Sequence, residues 1–185
     1  MQALMKVGRG VGLVELREVA EPVPGPGEVI MEVKACGVCG TDIHICHDKF
    51  PCWPPVFLGH EFSGPIVAAG PGARYFQVGD RVVAEPHSEA CGHCYLCRSE
   101  QMHICPMKRA PGWGVDGAFA KYVKMAEKLL HHIPDDLPLA AGSTTAAVSH
   151  SQRQGDHLRR QDLKDRDHTL RHSGNPRLRP HRRSV

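Results

Sequence analysis

Four cysteines in one short polar stretch constrain this chain more than any other feature. Cys91-Gly-His-Cys94-Tyr-Leu-Cys97 is followed, after seven residues, by Cys105. Three sulfurs at two-residue intervals with a fourth in reach suit a tetrahedral ion. Zinc has no ligand-field preference and takes four thiolates at about 2.3 Å, and such a closed site stabilises a loop without doing chemistry. Gly92 allows the tight turn that the spacing requires. Four incidental thiols would rarely repeat at this interval in a hydrophilic loop. His93 and His103 lie inside the same stretch as weaker competitors for the ion.

A second constellation is split along the chain. The string KACGVCGTDIHICHD puts Cys39 in a Gly-flanked turn with Thr41, Asp42 and His44 close behind, and LGHEFSG supplies adjacent His60 and Glu61, 21 residues after Cys39. One thiolate, one imidazole and one or two carboxylates form the mixed set expected where a catalytic zinc keeps a position open for water or substrate. Alone, such a Cys and His would more often be core or surface residues; beside a second metal motif the ligand reading prevails. Asp42 reads equally as a group orienting a ligand and as an exposed turn carboxylate. Cys36, Cys46 and Cys52 read as small buried hydrophobes, and Trp53, Phe57 and Trp113 read as packing rather than as the lining of a cleft.

Short apolar runs separated by Gly and Pro, roughly at 2–7, 12–20, 28–36, 62–69, 80–86 and 117–125, give a strand-and-turn rhythm. VPGPGEV is a turn between two strands, Gly79-Asp80-Arg81-Val82 leads into another, and Gly8, Gly10 and Gly12 fit a hairpin rather than a dinucleotide fingerprint. With no heptads and no long amphipathic helix, the pattern predicts a mainly β, barrel-like fold. Short helices are expected after Cys39 and between Cys94 and Cys105. The first 22 residues contain no apolar run of the roughly 7 to 15 that a signal peptide needs, so a soluble cytoplasmic protein is expected. In that setting the eight cysteines are metal ligands or ordinary thiols, not a disulfide framework.

Charge divides the chain. Residues 1–142 carry 13 Lys+Arg against 16 Asp+Glu, a net of −3, while 143–185 carry 10 against 4, a net of +6. That second segment has nine Arg, five His, no aromatic residue and no Cys, and is expected to stay disordered. Aspartates interrupt its basic run and no aromatic interleaves it, which argues against a nucleic-acid arm. No stretch of about 18 apolar residues suggests a membrane span.

CGVCGTDIH, GHEFSGPIVAAG, VGDRVV, CGHCYLC and DGAFAKYV, in this order, are similar to the motifs of zinc-containing medium-chain dehydrogenases, over residues 1–142 and most of all in the sorbitol, iditol and threonine branch. The resemblance implies a GroES-like β-barrel domain with a zinc-bound lobe. It implies a structural zinc on Cys91, Cys94, Cys97 and Cys105, a catalytic zinc on Cys39, His60 and Glu61, and a proton relay through Thr41 and His44. It also implies oxidation of a secondary alcohol or polyol by NAD or NADP held in a Rossmann domain, in a family that forms homo-oligomers. The chain departs from the pattern in three ways. No Cys follows Cys105, no Glu follows Glu127, and STTAAVSH stands where the polyol branch has a TEPLAV-like string, so the ligand set falls to Glu61 or, failing that, Glu85. No GxGxxG follows residue 142; the expectation is a catalytic domain without its cofactor domain, a frameshift-derived tail from 143 and negligible turnover alone. A non-enzymatic zinc-binding GroES-like module is the alternative.

Overall fold

The computed structural model describes residues 1–87 and 90–143. The expected tail lies outside these residues apart from Ser143. The first hairpin joins β1 (Gln2–Lys6) and β2 (Val14–Glu18), paired from Gln2↔Glu18 to Lys6↔Val14. Its loop is pinned from inside: the fully buried Lys6 ammonium donates to the carbonyls of Gly10, Gly12 (2.6 Å) and Cys46 (3.4 Å). Carbonyl oxygens surrounding the ammonium offset its desolvation, without which a buried charge is not tolerated.

β3 (Glu28–Glu32), β4 (Ala35–Gly37), β6 (Glu61–Ala69), β7 (Arg81–Ala84), β8 (Tyr122–Ala126) and β9 (Leu130–His132) form a six-stranded antiparallel sheet, while β5 (Val56–Phe57) adds to β1 in a three-stranded one. The order along the larger sheet is β8-β3-β6-β7-β9, with β4 on β6. The fold is mainly β with short helices, as the turn rhythm predicts, and no closed barrel is formed by the ladders of the described residues. Two short strands, β5 and β9, escaped the rhythm because two or three residues carry no period. The run at 28–36 is two strands, since Val33 and Lys34 leave the β3 ladder to bond Lys121 and Ser63.

Burial follows the pairing. β3 sits between β8 and β6 and buries Val29, Ile30 and Met31 consecutively; Phe62 and Ile66 of β6, Val82 of β7 and Val123 and Met125 of β8 complete this core. A second apolar cluster of Ile45, Cys52, Val56 and Leu58 lies beneath α1 (Gly40–Cys46). All eight cysteines are free. No helix of the described residues is long and apolar enough to cross a membrane.

Gly64 sets how closely β3 can pass β6. A Cβ there would lie 1.9 Å from the Glu32 carbonyl oxygen, a backbone atom that cannot move aside. Gly64→Ala is therefore expected to lower the unfolding free energy by about 1–3 kcal/mol, the usual range for overpacking. A thermal or urea melt reads this, and an unchanged midpoint would refute the close approach.

Candidate metal centres

The lobe builds its sulfur cluster locally. Cys94 caps the N-terminus of α2 (Tyr95–Arg98), and its Sγ accepts from the Cys97 N–H at 3.4 Å, while the Cys91 Sγ accepts from the Cys94 N–H at 3.4 Å. Gly92, at φ +74°, makes the turn between the first two ligands. A 3-10 turn at Met102–Ile104 returns the chain so that Cys105 closes the set. The Sγ separations are 3.8 Å for Cys91 and Cys97, 3.9 Å for Cys94 and Cys105, and 3.7 Å for Cys91 and Cys105. Four thiolates at about 2.3 Å from a tetrahedral ion stand about 3.8 Å apart, so the donors fit zinc. Backbone N–H groups of His93 and Cys94 lower the Cys91 thiol to about 6, whereas burial and the neighbouring sulfurs raise Cys97 to about 12. His93 is exposed and turns its Nδ1 to the Cys91 carbonyl at 2.7 Å; neither it nor His103 joins the cluster.

The second cluster is made by strand register. β4 and β6 pair antiparallel with Gly37 opposite Glu61, which sets Cys39, two residues past β4, beside His60 and Glu61 at the start of β6. One donor atom from each of Cys39, His60 and Glu61 lies within 4.8 Å of the others. Cys39 is the N-cap of α1, and the Thr41 hydroxyl oxygen stands 3.7 Å from its Sγ. His44 is exposed three residues further along the same short helix, on the face shared with Thr41. Glu85, the alternative carboxylate, lies outside this cluster and meets His131 Nε2 at 2.8 Å. Cys36, pushed to about 12 by burial and by the Asp42 carboxylate, is also outside it, as are Cys46 and Cys52.

Asp42 is the residue that the sequence undervalued. It is only 4% exposed, its Oδ2 accepts from the Cys39 N–H at 2.9 Å, and its Oδ1 accepts from the Gly59 N–H at 3.2 Å and lies 3.5 Å from His60 Nδ1. One carboxylate thus ties the turn before α1 to the segment that carries His60. Nδ1 is buried and makes no conventional hydrogen bond, so the 3.5 Å approach to Asp42 is an electrostatic contact. Burial opposes charge on His60, but Asp42 and then Cys39 outweigh it and raise the imidazole to about 9. Burial likewise pushes Asp42 upward, while His60 and the N–H groups of Cys39 and Gly59 reverse this and hold it below its ordinary value.

Trp113 packs with Phe50 over the cluster beneath α1, as expected, whereas Trp53 remains 37% exposed. A cleft of about 770 Å³ opens elsewhere, lined by Glu21, Phe57, Asp116, Tyr122 and Lys124 among others, and none of the seven clustered donors borders it.

Residues 25–135 match the alcohol dehydrogenase GroES-like domain. A sorbitol dehydrogenase of Halalkalibacterium halodurans is 42% identical over 154 residues, 82% of this chain and 45% of its own length. An L-threonine 3-dehydrogenase of Thermococcus kodakarensis is 41% identical over 144 residues, 75% of this chain and 40% of its own. The cobalt- and zinc-bound thermostable alcohol dehydrogenase of Pyrobaculum aerophilum superposes with a TM-score of 0.67 at 30% identity, covering 79% of this chain and 44% of that one. The chain spans less than half the length of these curated relatives.

Carboxylates behind metal-bound imidazoles typically contribute about 10- to 100-fold to metal affinity. Asp42→Asn is expected to weaken metal at the Cys39 cluster within that range and to leave the lobe's metal in place. Competition with a chromophoric chelator measures both, and an unchanged affinity at the first cluster would remove Asp42 from this role.

Proposed function

The chain belongs to the alcohol dehydrogenase GroES-like domain family, and from that premise we propose that residues 1–142 are the catalytic domain of a zinc-dependent alcohol or polyol dehydrogenase. The observation that carries this reading is the coexistence of two donor sets of different design. Four sulfurs complete one tetrahedron, whereas Cys39, His60 and Glu61 supply three mixed donors and leave a coordination position for an alcohol oxygen. A structural module needs the first set only.

The lobe would hold a structural zinc and Cys39, His60 and Glu61 a catalytic one. Zinc bound at the second set supplies Lewis-acid polarisation of the alcohol oxygen. The chain's own residues do the rest. Asp42 fixes the imidazole of His60 and the turn of Cys39 together. The Thr41 hydroxyl, 3.7 Å from the Cys39 sulfur, takes the proton released by the alcohol, and the exposed His44 passes it to solvent. The substrate is a small secondary alcohol or polyol and the hydride acceptor NAD or NADP, in keeping with the sorbitol and threonine dehydrogenases that the chain resembles. The basic segment 143–185 is assigned no part in this chemistry.

Metal analysis of the purified chain is expected to give two zinc ions per chain. Cys39→Ala should remove one and Cys94→Ala the other. A single zinc that survives Cys39→Ala would favour the non-enzymatic module instead.

A further inference from the structure

The largest side chain fully enclosed among the described residues is a cation, Lys6. An ammonium taken out of water is tolerated only where its three donors are met, and here three carbonyl oxygens meet them: those of Gly10, of Gly12 at 2.6 Å and of Cys46 at 3.4 Å. Lys6 has Val14 opposite it on β2 and Val56 opposite it on β5, so its methylene stem stands on the face of the sheet that carries those two valines to the apolar cluster beneath α1. The stem alone would serve that cluster. The ammonium adds a bond to α1.

The carbonyls that surround it belong to two elements. Gly10 and Gly12 lie in the hairpin loop, whereas Cys46 ends α1 and carries one of the last four carbonyls of the helix, which have no partner inside it. That carbonyl also accepts from the Gly12 N–H at 2.8 Å. Leu13 stands at φ +51°, a region that a branched residue adopts only where its surroundings hold it, so the loop keeps a shape that it would not hold alone. β1 is bonded on its other side to the segment leading into His60: Lys6 pairs with Val56, Met5 with Phe57, and the Leu58 N–H donates to the Leu4 carbonyl at 3.0 Å. Lys6 therefore ties the end of α1 to the strand on which that segment is laid. Asp42 makes the corresponding tie at the start of α1, between Cys39 and Gly59. A helix of seven residues, about 10 Å long, is thus held at both ends against the backbone that carries His60.

We propose that Lys6 is a positioning residue of the mixed-donor cluster: by fixing the C-terminal end of α1 on β1, its ammonium sets where the helix presents Cys39 relative to His60, and so raises metal affinity there. The inference rests on the reading of Cys39, His60 and Glu61 as metal ligands. Without the ammonium α1 is held firmly at its Asp42 end alone, and ligand distances that must hold within about 0.2 Å are relaxed. The four-sulfur lobe is built from its own turns and bonds to neither β1 nor α1 through its ligands, so it provides an internal reference.

The two zinc affinities of the 185-residue chain are measured by competition with a chromophoric chelator. Lys6→Met keeps the stem and removes the ammonium; it is expected to weaken zinc at the Cys39 cluster about tenfold, the low end for groups behind metal ligands, and to leave the lobe's affinity unchanged. Val29→Ala, which empties space in the β3 core instead, should lower the melting midpoint without this selective loss. Coupling of this kind is reciprocal. In the unaltered chain, hydrogen exchange over the hairpin loop, including the Gly12 N–H, should therefore be slower with zinc at both sites than after the chelator has stripped the Cys39 cluster alone, and this measurement decides the matter where Lys6→Met folds poorly. A Lys6→Met chain that binds zinc at the Cys39 cluster as tightly as the parent, an equal loss at both sites, an equal loss in Val29→Ala, or loop exchange indifferent to the second zinc would each overturn the inference. A parent chain with two zinc ions and any of these results loses only this inference, whereas a parent with a single zinc that survives Cys39→Ala loses the catalytic reading.

Discussion

β6 is bonded to β3 along one end and to β4 and β7 along the other, and the position of the mixed-donor cluster depends on that shared strand. Its register with β4 is the constraint that matters most. Gly37 faces Glu61, and a slip of one residue would turn the side chains of β4 to the opposite face and take Cys39 away from His60. Gly64 permits the arrangement by letting the Glu32 carbonyl pass where a side chain would stand. Phe62 and Ile66, both fully buried on β6, hold the register by setting apolar surface against the core.

The two clusters are stabilised by different physics. In the lobe, sulfurs come within 3.7 to 3.9 Å through turns and a single short helix, so the geometry is local and the bound ion would supply much of the folding energy. The other cluster is assembled from elements already packed by β pairing, and its fine adjustment falls to Asp42. That carboxylate faces His60 and takes one N–H from the α1 turn and one from Gly59, and the imidazole together with these two bonds offsets the cost of burying it.

The readable and unreadable parts of the fold separate along the same line. Strands with several apolar residues, such as β3 and β6, announced themselves by run and alternation, and the helix after Cys39 was legible from its position. β5 and β9 were not, because each owes its extended shape to a neighbour's hydrogen bonds rather than to its own pattern. Asp42 resembled any turn carboxylate until its burial was known, since a single Asp carries no spacing signal. Glu85 was a reasonable substitute ligand in the sequence, and the fold draws it to His131 instead. Arg109, next to Lys108 and a proline-glycine loop, gives no hint in the sequence that it will lie over Trp53, more than 50 residues away.

The sequence by itself determined the donor types, the closed four-sulfur lobe and the family, because Cys91, Cys94 and Cys97 sit close enough along the chain for local turns to bring them together. Only the tertiary structure decided which carboxylate joins Cys39 and His60, which one stands behind the imidazole, and where the Arg109 guanidinium comes to rest. Those relations join residues far apart in the chain, and they are fixed by strand register and core packing, whose energies depend on the whole fold rather than on any one segment.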